Sequence, residues 1–300
     1  MLAENISIIE NKPTAMNKVK DYAQFMKMRL ASIVVLSAAI SFVIGSQTVD
    51  FTKMLLLILG GFLVTGSSNG FNQIIEKNLD KLMDRTQNRP LPQSRMSVTE
   101  SIVLATIMGI SGIVILWVFM NPMSGILGAT ALVLYTVVYT PLKRVTPFAV
   151  FIGAFPGAIP PLLGYVATTT GFGEIKFQAW ILFVVQFIWQ FPHFWAIAWV
   201  LDDDYKKAGF RMLPSAGGRD KSSAFQVLVY TLFLLPISLF PVLFGMSGIV
   251  SAIIISISGI FFAYLAYKLY KDCTVESARK LMFGSFIYLP IVQLAVMIGK

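Results

Sequence analysis

Long apolar segments alternate with polar connections along almost the whole chain. Nine of these segments reach the roughly 20 residues that a helix needs to cross a bilayer. They cover about residues 30–49, 54–75, 98–120, 124–142, 147–168, 177–200, 224–245, 248–270 and 278–298. The pattern predicts an all-α polytopic membrane protein, with a tail over residues 1–29 and a single membrane domain over residues 30–300.

Composition and charge exclude a soluble protein and argue against a nucleic-acid-binding one. Only 13% of the 300 residues are charged, whereas soluble domains average about 25%. The net charge of +9 is unevenly placed, because 21 of the 24 Lys and Arg residues fall on the N-terminal side of the predicted spans. Only Lys53, Lys176 and Lys300 fall on the other side. This positive-inside pattern predicts a cytoplasmic N-terminus and a C-terminus on the opposite face.

The first 29 residues lack the early apolar core of a cleaved signal sequence, so we expect the first span to be a true membrane helix. They also lack an arginine-rich transit pattern, which favours a bacterial inner membrane. The two longest polar connections, near residues 76–97 and 201–223, follow the second and sixth spans. This spacing favours two four-helix units with a ninth helix appended. Any active site must then be built by the spans and these two connections.

The first polar connection carries an acidic motif, "NQIIEKNLDKLMDRTQNRP", over residues 72–90. Asn72, Glu76, Asp80 and Asp84 stand four residues apart, which on a regular helix places them along one surface. Three neighbouring carboxylates repel one another unless a cation relieves them. Such oxygen ligands suit Mg²⁺. The alternative is a solvated helix extension whose acids pair with neighbouring Lys and Arg side chains.

Cations accompany this motif on the same side of the membrane. Arg85 and Arg89 follow the acids, and Lys143 and Arg144 end the fourth span in "YTPLKRVT". Arg and Lys side chains converging beside a metal site are what a diphosphate leaving group requires. Alternatively, each of these cations serves only to set the orientation of the protein in the membrane or to contact anionic lipid.

The second polar segment is "WQFPHFWAIAWVLDDDYKKAGFRMLP", residues 189–214. His193, the only histidine, lies well inside the sixth span, where an ionisable group usually faces a cavity or pathway. It precedes Asp204 by eleven residues, which places the two on nearly the same face if the helix stays regular past Pro192. A buried histidine bonded to a carbonyl is the alternative. The surrounding Trp and Phe residues fit either an aromatic pocket or an ordinary core.

These motifs resemble the UbiA superfamily of intramembrane prenyltransferases. Within it, "MDRTQNRP", "YTPLKR", "GAFPGAIPPLLGY", "WQFPHF" and "DYKKAGFRMLP" look like the protohaem IX farnesyltransferase (haem O synthase) family. The resemblance extends from about Lys27 to the C-terminus. It implies a nine-helix bundle around a cytoplasm-facing cavity, in which Mg²⁺ holds an allylic diphosphate.

The resemblance also assigns roles by position. The implied metal ligands are Asn72, Glu76, Asp80, Asp84 and Asp204. The implied diphosphate partners are Arg85, Arg89, Lys143 and Arg144. The implied haem or prenyl contacts are His193, Trp189 and Tyr139. The implied catalytic residues are Asn72, Glu76, Asp80 and Lys143. Two features depart from the superfamily pattern: Glu76 stands where an aspartate is usual, and Asp202–Asp204 are consecutive rather than spaced.

The implied reaction transfers farnesyl from farnesyl diphosphate to the vinyl group of haem B, with addition of water, and yields haem O and diphosphate. A haem A synthase or a terminal oxidase assembly is the implied downstream partner. Two alternatives remain at this point. One is a prenyltransferase for a quinone precursor or another ring, and the other is a haem transporter without chemistry. The clustering of acids at one face of the membrane favours an enzyme over a transporter, which would place ionisable residues along a pathway.

Overall fold

The computed structural model describes residues 15–300, and nine helical segments within that range are long and apolar enough to cross a membrane. The predicted nine-span all-α architecture is confirmed. The spans begin and end within a few residues of the predicted limits. They are Met28–Gly45, Phe51–Ile75, Val98–Met120, Pro122–Leu142, Ala149–Val166, Phe177–Val200, Lys221–Leu243, Ile249–Asp272 and Val275–Ile298.

Shorter elements flank these spans. In chain order the α-helices are α1 Ala15–Met26, α2 Met28–Gly45, α3 Phe51–Ile75, α4 Lys77–Asp80, α5 Val98–Ile115, α6 Pro122–Val133, α7 Thr140–Leu142, α8 Ala149–Val166, α9 Phe177–Val200, α10 Asp202–Lys207, α11 Lys221–Ser238, α12 Phe240–Leu243, α13 Ile249–Asp272 and α14 Val275–Ile298. Two π-helical turns, Leu116–Met120 and Leu134–Tyr139, continue α5 and α6.

Polar side chains at the ends of the spans fix where several helices begin. Ser97 and Glu100 form a reciprocal capping box at the start of α5, which satisfies two backbone N–H groups that would otherwise lack partners. Asn121 caps α6, and Asp220 and Thr274 cap α11 and α14 in the same way. Local chemistry therefore sets the limits of hydrophobic segments that composition defines only roughly.

The spans form two sequential halves that meet directly at α8 and α9 and are also joined by the first span. In the first half α3, α5, α6 and α8 pack in succession, and in the second half α9, α11, α13 and α14 do the same. Helix α2 packs against α3 and α8 of the first half and against α14 of the second. The predicted division into spans one to four and five to eight, with the ninth appended, is wrong: the four-helix groups are spans two to five and six to nine, and the additional helix is the first span.

The tight contact between α2 and α8 depends on a missing side chain. A Cβ at Gly164 would lie 2.0 Å from the carbonyl oxygen of Ala38, so no other residue fits without separating the helices. Small residues allow helix backbones to approach in this way within a membrane, where packing rather than hydrophobicity drives association. The contact matters because α8 is the helix that follows the cationic segment Lys143–Arg144.

Part of the predicted tail forms a helix bound to the bundle. Phe25 of α1 is fully buried, among Leu91, Met96 and Ala105. Asp21 of the same helix accepts a 2.8 Å hydrogen bond from Arg95. These contacts hold the junction between α1 and α2 beside the end of α3.

A buried polar network joins four spans in the apolar interior. Pro161 lacks an N–H and leaves the carbonyl of Gly157 in α8 without a helical donor, and Gln186 of α9 donates to that carbonyl at 2.7 Å. The Gln186 side-chain oxygen accepts hydrogen bonds from Ser37 of α2 and Gln293 of α14, at 2.7 and 2.9 Å. One glutamine thus connects both halves and the first span.

We predict that Gln186→Met lowers the free energy of unfolding by about 1–2 kcal/mol, because it leaves the Gly157 carbonyl without a donor and the Ser37 hydroxyl proton without an acceptor in low dielectric. Unfolding by sodium dodecyl sulfate in mixed micelles measures this. Gln178→Met on the same helix is the matched control, since no hydrogen bond is formed by the Gln178 side chain within residues 15–300. Equal stability of the two variants would contradict the role given to the network.

Candidate active site

The site begins where α3 ends. Asn72 is buried in the last turn of α3, and its side-chain amide donates to Glu76 at 2.8 Å and to the Thr140 hydroxyl at 3.4 Å. The helix stops at Ile75, and Glu76 leaves the helical conformation with φ −93° and ψ 7°. The predicted continuous helical face through residue 84 is therefore wrong, because the chain breaks at Glu76 and again after Asp80.

Asp80 is the most deeply buried acid of the motif. Its side chain is fully shielded from solvent, and one carboxylate oxygen accepts a 2.7 Å bond from Arg89. The hydroxyl of Thr86 donates to the Asp80 main-chain carbonyl at 2.9 Å, which closes the turn that brings Arg89 back. Burial raises the pKa of the Asp80 carboxyl, and Arg89 opposes that effect. The other oxygen, Oδ1, is buried and has no hydrogen-bond donor among the described residues.

Lys143 approaches the same acids from the end of the fourth span. Its ammonium group lies 2.6 Å from Glu76 Oε1 and sits above the rings of Tyr139 and Phe210 at 5.1 and 5.5 Å. The π-helical turn Leu134–Tyr139 precedes it, and Thr140 Oγ1 donates to the carbonyl of Tyr135 there. Such π turns frequently mark functional sites. Here the turn orients Tyr139 and Thr140 toward the end of α3.

A cavity of about 330 Å³ opens beside these groups. Glu76 and Thr140 line it, together with Arg144 and the apolar side chains of Ile75 and Leu79. The predicted diphosphate partner Arg144 is thus placed next to a predicted metal ligand. Arg85 lies further out, with its guanidinium carbon 5.9 Å from the centre of the Tyr205 ring.

Lys27 joins the site although sequence reasoning assigned it only to topology. It is the residue between α1 and α2, with a left-handed backbone of φ 50°, an uncommon conformation for a residue with a side chain. Its ammonium donates to Asn72 Oδ1 at 3.2 Å. Burial, together with the positive charges of Arg89 and Lys143, lowers the pKa of Lys27 to about 7.

Asp84 and Asp204 are held outside the Asn72–Asp80 group. The backbone N–H groups of Asp84 and Arg85 donate to the Asp204 carboxylate, at 2.7 and 3.4 Å. The Asp84 side chain is 75% exposed and pairs with Lys207 at 2.5 Å. The two polar connections therefore touch each other through Asp204. Within residues 15–300 no three His, Cys, Asp or Glu side chains form a ready ligand group.

Asp202 and Asp203 form ion pairs just beyond the end of α9. Arg219 donates to the carbonyl of Trp199 at 2.7 Å and to Asp203 at 2.8 Å, and the bond from Arg219 lowers the pKa of Asp203. Asp202 is buried and pairs with Lys206 at 2.7 Å. A cation held at a helix C-terminus is stabilising because it meets carbonyl groups that have no helical donors.

His193 lies inside α9 and faces α14, whereas Asp204 lies on α10 beyond the end of α9. Helix α9 ends at Val200, so the predicted alignment of the two residues on one face is wrong. His193 Nδ1 lies 2.7 Å from Ser285 Oγ of α14, and Trp189 stacks on the imidazole with ring centres 4.3 Å apart. Ser285 therefore engages Nδ1, and Nε2 is the ring nitrogen that has no hydrogen-bond partner within residues 15–300.

The aromatic residues around His193 divide between two faces of α9. Phe191 and Trp195 pack against Tyr230 of α11, with ring centres 4.8 and 5.0 Å away. Trp189 and His193 face α14 instead. The sequence places these residues within seven positions of each other, but the helix separates them into two environments.

The donor set near α3 fits a hard cation. Asn72, Glu76 and Asp80 present amide and carboxylate oxygens at one place. Asp80 Oδ1 is buried and accepts no hydrogen bond from the described residues, and such an oxygen is the kind of atom that a bound cation satisfies. Arg89 and Lys143 balance the two carboxylates, and Lys27 adds further positive charge when it is protonated. The surplus suits an anionic ligand bound together with the metal.

The model of the UbiA prenyltransferase family matches residues 33–289 of the chain. The chain belongs to the UbiA prenyltransferase family. Among curated relatives, the "Protoheme IX farnesyltransferase" of Cytophaga hutchinsonii is 49% identical over 93% of this chain and 97% of its own length. The protein of the same name from Christiangramia forsetii is 47% identical over 94% of each chain.

Solved structures agree on the fold of this UbiA prenyltransferase. A UbiA homolog from Archaeoglobus fulgidus, bound to GPP and Mg²⁺, aligns with a TM-score of 0.71 at 14% identity, over 92% of this chain and 99% of that one. A digeranylgeranylglyceryl phosphate synthase aligns with a TM-score of 0.77 at 24% identity, over 95% and 99%. These likenesses establish the shared helical fold.

Sequence reasoning about this UbiA prenyltransferase missed four residues that the fold brings to the site. Lys27 and Thr140 contact Asn72, and Phe210 lies under the Lys143 ammonium. Tyr205 lies beside Arg85. The positions of Tyr205 and Phe210 within "DYKKAGFRMLP", next to the acidic run, were a usable signal. Lys27 is one of several lysines in the tail, and no sequence pattern distinguishes it from the others.

We predict that Arg89→Met lowers the free energy of unfolding by about 3 kcal/mol or more, because it leaves the buried Asp80 carboxylate without its cation. The double variant Asp80→Asn with Arg89→Met should recover most of that loss. Unfolding in mixed micelles for the two single variants and the double variant measures the coupling. Additive losses would contradict the pairing.

Proposed function

We propose that this chain is a protohaem IX farnesyltransferase that joins the farnesyl group of farnesyl diphosphate to a vinyl group of haem B and yields haem O. The observation that carries the proposal is the buried pairing of Glu76 with Lys143 and of Asp80 with Arg89 beside a cavity that opens on Arg144. Relatives of that name, at close to half identity over more than nine-tenths of the chain, support the choice of acceptor.

The leaving group defines what this end of the bundle must do. When the C1–O bond of farnesyl diphosphate breaks, the diphosphate departs with the electron pair, and C1 gains cation character. Lys27, Lys143 and Arg144 would stabilise the charge that develops on the diphosphate oxygens. Asn72, Glu76 and Asp80 would hold Mg²⁺, which when bound supplies further charge neutralisation to the leaving diphosphate. Asp84 and Asp204 would act at the rim, where they join the two connections.

The acceptor half of the reaction balances without an oxidant. The vinyl terminal carbon of haem B forms the new bond to C1 of farnesyl, which leaves a cation on the carbon next to the pyrrole. Water adds to that carbon and loses a proton, so the product carries a hydroxyethylfarnesyl group. Tyr139, buried beside Lys143, belongs to the apolar lining that keeps bulk water from the first cation.

The orientation of the protein in the membrane follows from the distribution of its Lys and Arg residues. The carboxylate end of the bundle carries most of the Lys and Arg residues, so we infer that it faces the cytoplasm of a bacterial cell, with the chain in the inner membrane. Farnesyl diphosphate would then reach the site from the cytoplasm, while the farnesyl chain and haem B partition from the bilayer. A haem A synthase or a terminal oxidase assembly is the proposed recipient of the product.

The test of the proposed function uses membranes that contain the chain, supplied with haem B, farnesyl diphosphate and Mg²⁺. Mass spectrometry should detect a haem whose mass has increased by one farnesyl group and one hydroxyl group, with stoichiometric diphosphate release. Unchanged haem beside a prenylated quinone precursor would overturn the choice of acceptor. Absence of diphosphate release would overturn the enzyme assignment and favour a haem carrier.

We predict that Asp80→Asn lowers kcat by about 100-fold or more, because it removes charge that the leaving-group site needs. Asp84→Asn is the matched control and should stay within a few-fold of wild type, since its exposed ion pair contributes little. Both rates are measured in the same haem assay, on variants shown to be membrane-inserted. Wild-type turnover by the Asp80→Asn variant would contradict the proposed leaving-group site.

We predict that His193 is a haem contact through Nε2, the nitrogen left free by the bond to Ser285. His193→Leu should shift the absorption maximum of bound haem and raise the KM for haem, with the KM for farnesyl diphosphate unchanged. Ser285→Ala should shift the spectrum less, because it frees the ring to change tautomer without removing the nitrogen. Identical haem spectra for His193→Leu and wild type would exclude iron ligation.

A further inference from the structure

The end of the bundle opposite the carboxylates contains a second polar cavity, of about 340 Å³. It lies where α2 ends and α3 begins, and where α8 ends and α9 begins. Gln47, Thr48 and Thr168 line it, together with Asp50, Lys53 and Lys176. Most of the remaining surface at this end is uncharged, so a polar cavity here requires a reason.

The positive charge of this end is gathered at the cavity. Of the three cations that the sequence places on this side of the spans, Lys53 and Lys176 line the cavity itself. The third, Lys300, donates to the main-chain carbonyls of Val43 and Ser46, and Ser46 also lines the cavity. Three chain segments that are distant in sequence therefore bring their only cation to one place.

The described part of the protein does not pair the two lysines that line the cavity directly with acids. Among residues 15–300, neither Lys53 nor Lys176 lies within ion-pair distance of an acid. Asp50 also lines the cavity and caps α3 by accepting the Lys53 N–H at 3.0 Å, so its single negative charge offsets only part of the positive charge. Helix α9, 24 residues long, begins at Phe177 with no side-chain cap, so its positive pole adds to the two ammonium groups.

The depth of the cavity, at the ends of the apolar spans, indicates which kind of anion it binds. Its lining includes Gly45, where the apolar span α2 ends, and Asp50, the cap of α3. This is the depth at which lipid phosphates lie, at the edge of the hydrocarbon layer. We propose that the cavity binds the phosphate of an anionic phospholipid head group, with Lys53 and Lys176 as its charged partners and Gln47 and Thr48 as neutral donors.

Bound at this place, a lipid head group would bridge the connection between the first two spans and the connection between the fifth and sixth. Helix α9 begins there and carries His193 on its far half, and α3 begins there and carries Asn72 in its last turn. The lipid would thus fix the distal ends of the two helices that deliver polar residues to the active site. No residue of the cavity belongs to that site.

The experiment is native mass spectrometry of the purified full chain in detergent micelles, with phosphatidylglycerol added stepwise. Wild type should retain one phosphatidylglycerol selectively over phosphatidylcholine, whose head group has no net charge. Lys53→Gln with Lys176→Gln should weaken that binding about 30-fold, at roughly 1 kcal/mol for each lysine near a membrane surface. Lys53→Arg with Lys176→Arg should retain it.

Two controls make the result decisive. Lys268→Gln with Lys271→Gln removes the same charge from exposed positions at the opposite end and should bind lipid as wild type does. Inorganic phosphate is the second probe: if it displaces the lipid at equal concentration, the site takes free phosphate and the lipid assignment is overturned. Equal lipid binding by the Lys53→Gln, Lys176→Gln variant and wild type would overturn the site altogether.

Discussion

Two carboxylates can be buried at the end of an apolar bundle only because each meets a cation from another part of the chain. Glu76 meets Lys143, and Asp80 meets Arg89. Without these partners the cost of removing the charges from water would exceed what packing supplies. The pairs therefore determine the local backbone. The connection after α3 must fold back to present Arg89, and the fourth span must end where Lys143 can reach Glu76.

The interior of the bundle supports this end through polar contacts that an apolar core would not need. The prolines of α8 remove helical hydrogen bonds, and Gln186 of α9 replaces one of them. The same side chain joins α2 and α14. Because α8 follows directly on the segment that carries Lys143 and Arg144, fixing α8 against α9 and α2 also fixes where those cations emerge. The rigidity that the site requires is built about two turns or more below it.

Hydrophobic patterning predicted the nine spans because each span must satisfy its own backbone in the bilayer, which leaves little freedom of length. The acidic motif predicted Asn72, Glu76 and Asp80 as neighbours, and they are. The same spacing failed for Asp84, because a regular helix was assumed where the buried Asp80–Arg89 pair requires a turn. Spacing along one helix also could not reveal Lys27, whose place depends on α1 packing beside residues 91–105.

The faces of α9 illustrate the same limit. Composition groups Trp189, His193 and Trp195 as one aromatic cluster, yet rotation along the helix sends the first two toward α14 and the third toward α11. Which neighbour each face meets depends on the order in which the second half of the chain packs, and no local pattern encodes that order.

The contact between the two polar connections gives the site a contribution from both halves. The first half supplies the buried carboxylates and their cations, and the second half supplies Asp204, which accepts hydrogen bonds from the backbone of Asp84 and Arg85. Asp204 therefore holds the chain just beyond Asp80 without entering the buried group itself. A bond to two main-chain N–H groups fixes backbone position whatever side chain occupies residue 84. Since Arg89 reaches Asp80 from the same connection, the second half constrains the backbone of the first half close to the buried Asp80–Arg89 pair.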